Sequence, residues 1–91
     1  MTPGTALTDR IRQVLDAEAR LPVPAAGLAD EDDLFRSGLS SHSSVSVMLA
    51  LEELFGVEFP DALLSRQTFQ SIRSIATALR SLGVEDTSSG D

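Results

Sequence analysis

The chain has 91 residues, enough for one compact domain with a modest core and too few for a second. Its 42% hydrophobic and 23% charged residues are those of an ordinary globular fold, and the absence of cysteine excludes a disulfide scaffold, a thiolate metal site and a cysteine nucleophile. Seven arginines, no lysine and fourteen acids give a net charge of −7, which argues against nucleic acid, whose phosphates need basic neutralisation.

From the N-terminus, residues 1–10 carry neither the basic nor the apolar region of a signal peptide. The longest purely apolar run, Val47 to Leu51, is far below a membrane span. A cytoplasmic protein with no membrane contact is therefore expected. Leu7, Ile11, Val14 and Leu15 recur at helical spacing with Asp9, Arg10, Arg12 and Asp16 between them, which predicts an amphipathic first helix over about residues 6–19. Leu21-Pro22-Val23-Pro24 ends it. Residues 20–40 form a long connection, of the kind that is usually functional or locally structured. Asp32-Asp33-Leu34-Phe35 is expected to turn there and to pin it to the core through Leu34 and Phe35.

A second helix is predicted over about residues 41–55, with Ser40 as N-cap and Gly56 as its stop. Residues 57–60 read as an extended link, and Pro60 to Leu64 as one helical turn. Thr68 is taken to cap a final helix that carries Phe69, Ile72, Ile75, Ala76, Leu79 and Leu82 on its apolar side and stops at Gly83. The expected fold is all-α, a small four-helix bundle of three main helices and a short third one. Its domain spans residues 1–83, and residues 84–91 form a polar, disordered tail.

On the second helix, Val47, Leu51, Leu54 and Phe55 cluster as the core face. Ser41 lies off that face at the helix N-terminus, where open N–H groups and the dipole favour a phosphate. Serines at helix starts are nevertheless mostly simple caps, and periodicity does not choose among the four serines around His42. Val45 and Leu49, one and two turns below Ser41, form either a docking stripe flanked by Glu52 and Glu53 or core against a neighbouring helix. No arginine or lysine lies between Arg36 and Arg66, while Glu52, Glu53, Glu58 and Asp61 do, so this region suits a basic partner or is merely a solvated acidic face.

The segment Leu34-Phe35-Arg36-Ser37-Gly38-Leu39-Ser40-Ser41, then Val45 and the run from Ala50 to Asp61, resembles the acyl carrier protein family. That family's pattern is Gly-Leu-Asp-Ser-Leu followed by Ala-Leu-Glu-Glu-x-Phe and Ile-Pro-Asp. The match runs without a gap from Leu34 to Pro60, and the helix layout agrees over about residues 6–82. The resemblance implies that Ser41 receives 4′-phosphopantetheine from coenzyme A. Ser43 would shift the downstream spacing by two and is rejected.

Ser40 stands where the family has aspartate, and His42 where it has leucine; these departures put recognition by a generic transferase in doubt. They are instead similar to the stand-alone aminoacyl carrier proteins served by seryl-tRNA-synthetase-like ligases, as is the stretch from Phe59 to Phe69. That narrower resemblance implies a glycine or alanine thioester on the arm. It also implies a phosphopantetheinyl transferase, an amino acid:carrier protein ligase and a downstream acceptor enzyme as partners of a monomer.

No enzyme activity is expected. His42 neighbours Ser41 and Ser43 in sequence, and adjacent helix residues do not face each other, so no Ser-His-Asp triad forms. Asp30-Glu31-Asp32-Asp33 lacks the spacing of a calcium loop, and no metal site is expected. His42, Val45, Leu49, Glu52 and Glu53 are the candidate partner contacts. The alternatives are an acyl carrier for fatty-acid, polyketide or peptide-type biosynthesis, and an unmodified helical interaction module.

Overall fold

The computed structural model describes residues 7–84. Three α-helices carry the structure: α1 (Leu7–Val14), α2 (Ser41–Phe55) and α3 (Ile72–Ser81). Among the described residues there is no strand. The helical rise begun by α1 continues through a π-helical turn, Leu15–Ala19, and stops at Arg20, which takes a left-handed conformation at φ 55° just before the prolines. Leu7, Ile11, Val14 and Leu15 are all buried, as their spacing requires.

The connection from 20 to 40 is ordered by polar bonds. It contains a single 3₁₀ turn, Ala25–Gly27. The Arg12 guanidinium donates to the carbonyls of Ala25 and Leu28 and pairs with Asp30 at 2.7 Å, while Asp16 accepts the Ala25 N–H at 2.8 Å. Leu34 is fully buried, and its N–H donates to the Gln70 carbonyl at 2.7 Å, which ties the connection to the approach of α3.

Four expectations need correction. The expected short third helix is a single 3₁₀ turn, Asp61–Leu63, with Pro60 as its cap, so the described residues form three α-helices with 3₁₀ turns and not four full helices. Ser71, not Thr68, caps the last helix: Ser71 Oγ accepts the Ser74 N–H and Ser74 Oγ accepts the Ser71 N–H, a reciprocal pair, while Thr68 Oγ1 is hydrogen-bonded with Ser65 Oγ at 3.3 Å. Thr68 is buried in the preceding turn, where its carbonyl accepts Ser74 Oγ, and Phe69 packs there against Phe59 at 5.5 Å between ring centroids. Leu54 is 45% exposed; in the last turn of α2 the packing passes to Phe55, whose ring lies under Arg10. Val84 is no tail residue, since its N–H donates to the Leu79 carbonyl across Gly83 (φ 96°) and its side chain packs on the core. The rest of the expected tail, 85–91, lies outside the described residues, as do residues 1–6.

Candidate functional site

Ser40 is extended (φ −97°, ψ 164°), and its Oγ accepts the Ser43 N–H at 3.0 Å, which starts α2 at Ser41. Ser40 Oγ also donates to Ser43 Oγ at 3.1 Å, and Ser44 Oγ donates to the Ser41 carbonyl at 2.7 Å. Three of the four serines around His42 are thus committed to local bonds. The Ser41 hydroxyl is solvent-exposed and makes no hydrogen bond to another described residue.

A helix's first N–H groups have no intrahelical partner, and the dipole adds partial positive charge at that end. An anion esterified to Ser41 Oγ is stabilised there and displaces neither core packing nor an existing bond. The residue fits a phosphodiester. Gly38 makes the approach to α2 possible: its φ is 122°, and a Cβ there would stand 2.7 Å from Pro22 Cδ.

Val45 and Leu49 lie in solvent at 52% and 54% exposure, so neither is core against a neighbouring helix. His42 and Glu53 are exposed as well. Glu52 is different. Its Oε2 accepts the Phe59 N–H at 2.8 Å, and its carbonyl accepts the N–H groups of Gly56 and Val57, so it holds the link between α2 and the following turn.

Beside Ser41 opens a cleft of about 310 Å³ between α2 and residues 64–69. Phe35, Val45, Met48, Leu64 and Phe69 make it apolar. Ser41, Ser44 and Ser65 contribute hydroxyls, and Arg66 is its one charged lining residue. The Arg66 guanidinium lies over the Phe35 ring, 4.1 Å from its centroid. Nearby, partial desolvation would raise the Asp33 carboxyl, but the Arg36 N–H, the Gln70 amide, the Phe35 N–H and the charge of Arg66 outweigh it and hold the group below the ordinary carboxylate range.

The acidic run of the long connection serves structure. Asp30 pairs with Arg12, Glu31 with Arg73, Asp32 accepts the Ala29 N–H, and Asp33 caps the turn at Phe35. Among the described residues no group of three or more His, Asp or Glu stands close enough to hold a metal, and no helix is long and apolar enough to cross a membrane.

Sequence reasoning brought Ser41, Val45 and Leu49 to one face but did not find the cleft. Of its lining, Met48 stands seven residues after Ser41, hence on the same side of α2, and could have been found by that spacing. Leu64, Arg66 and Phe69 reach the cleft only because the irregular 64–71 segment folds back on α2, for which the local sequence has no periodic signal.

Comparison with known proteins identifies the family. Residues 6–79 match the family described as "Phosphopantetheine attachment site". The chain is 47% identical over 70 residues to an aminoacyl carrier protein of Agrobacterium fabrum, covering 77% of this chain and 84% of the relative. It also superposes with a TM-score of 0.79, at 44% identity, on the carrier protein from Agrobacterium tumefaciens in a crystal structure with an engineered Bradyrhizobium japonicum glycine:[carrier protein] ligase and ATP, covering 81% of this chain and 96% of that one. A solution structure from Agrobacterium tumefaciens matches with a TM-score of 0.66 at 45% identity, over 80% of this chain and 88% of the other.

Proposed function

The chain belongs to the phosphopantetheine attachment-site family of carrier proteins, and from that membership we propose that Ser41 bears the 4′-phosphopantetheine arm and that its cargo is a small amino acid, glycine or alanine. The arm supplies a thiol on a long flexible tether, on which the cargo is held as a thioester. The chain itself makes and breaks no bond. Ser41 offers the hydroxyl, Ser40 fixes the helix start behind it, and the face of α2 carrying Val45, Leu49 and Glu53 is what partners recognise.

One observation carries the choice of residue: the hydroxyl of Ser41 is exposed and uncommitted, while those of Ser40, Ser43 and Ser44 are engaged. For the cargo, the support is the likeness to an aminoacyl carrier protein and to a carrier seen with a glycine:[carrier protein] ligase. A ligase of that kind is accordingly the loading partner in this reading, with a phosphopantetheinyl transferase before it and an acceptor enzyme after it. The protein acts as a monomer in the cytoplasm, the compartment that supplies coenzyme A. The apolar cleft beside Ser41 favours a second reading, an acyl cargo in place of an amino acid.

Incubation with coenzyme A and phosphopantetheinyl transferases, including those of the native genome, followed by intact mass measurement tests the attachment. Wild type and Ser43→Ala gain the mass of the arm; Ser41→Ala does not, and keeps its helical circular dichroism. A mass gain on Ser41→Ala, or none on wild type with any transferase, overturns the assignment. Offering the arm-bearing protein glycine, ATP and the ligase then separates the two cargo readings by the mass added.

A further inference from the structure

Arg66 has no role in attachment or in core packing, yet it is the single charge on the wall of the cleft that Ser41 also lines. Its side chain is exposed, stacks on Phe35 at 4.1 Å, and makes no hydrogen bond or ion pair within 4.0 Å to another described residue. A guanidinium has five N–H donors in a planar fork, the shape that grips a phosphate through two parallel bonds. Asp33, the carboxylate that feels its charge, is already occupied by the N–H groups of Phe35 and Arg36 and by the Gln70 amide. The ring of Phe35 lies under the guanidinium carbon at the cleft and, having no acceptor atom of its own, leaves the N–H donors available.

We propose, building on the attachment of the arm at Ser41, that Arg66 is the positioning residue for that arm: it pairs with the phosphodiester and draws the apolar first stretch of the pantetheine across Val45, Met48 and Leu64. Charge complementarity selects this occupant. A phosphodiester is a permanent anion tethered to a residue of the cleft wall, whereas a free aminoacyl ammonium is repelled by the same guanidinium. The cleft thus shelters the root of the arm and leaves the cationic end of an aminoacyl thioester in solvent.

Nuclear magnetic resonance of the unmodified and arm-bearing wild-type protein tests this without relying on a variant. The Arg66 Nε–Hε resonance shifts on modification several-fold more than the median backbone amide, and the geminal methyl groups of the arm show Overhauser contacts to Val45, Met48 and Leu64. Arg66→Gln, checked for unchanged helical circular dichroism, loses these contacts at least several-fold, and Arg66→Lys restores part of them. An arm present by mass but with an unmoved Arg66 resonance and no contact to the cleft overturns this inference alone. Absence of the arm from Ser41 by mass overturns the attachment reading as well.

Discussion

Arg12 reaches three acceptors at once, the carbonyls of Ala25 and Leu28 and the carboxylate of Asp30. Its side chain is only 18% exposed, so deleting the guanidinium leaves carbonyls without a donor in a partly dry place. Arg12→Met is expected to lower unfolding stability by about 2 kcal/mol, read as a fall in the urea midpoint with an unchanged slope. A change within about 0.5 kcal/mol would mean that the connection is held by its apolar contacts alone. None of this was visible in the sequence, where Arg12 is one charge on the polar side of an amphipathic helix; its partners lie 13 to 18 residues away. The choice of Ser41 among four serines was likewise beyond periodicity. The resemblance picked it by register, and the structure adds that its hydroxyl is the one of the four left without a local bond, which supports the proposed attachment.

Elements were more legible than their ends. Helix α2 runs from Ser41 to Phe55 as expected because both of its signals are local, a serine cap and a glycine at φ 66°. The start of α3 was misplaced because Thr68 and Ser71 both qualify as caps and each has a serine three residues on, so the local sequence does not choose between them; in the fold Thr68 Oγ1 is taken by Ser65 Oγ and Ser71 pairs with Ser74. At the C-terminal end of α2, two adjacent glutamates that look alike in sequence have different duties. Glu52 fixes the link through the Phe59 N–H, whereas Glu53 points into solvent. Glu52→Ala is therefore expected to cost about 1.5 kcal/mol and Glu53→Ala less than about 0.5 kcal/mol in chemical denaturation. Equal losses would remove the distinction.

Over the whole molecule, the net charge of −7 and the lack of any arginine or lysine between Arg36 and Arg66 leave the surface along α2 acidic, with Glu53, Glu58 and Asp61 all exposed. Acidic groups at the rim of a docking face act on encounter more than on residence. Glu53→Lys is expected to slow ligase loading several-fold at low ionic strength, with the difference shrinking toward physiological salt and the helical signal intact. Equal rates at every salt concentration would take Glu53 out of recognition. The π-helical turn and the cleft were not legible at this scale, since each depends on how distant segments settle against one another, whereas the single turn after Pro60 was read from its local sequence. Val45 belongs both to the exposed face of α2 and to the wall of the cleft. A partner that used Val45 in the way proposed would compete with a tethered group for that one side chain, so recognition and shelter would draw on the same few atoms.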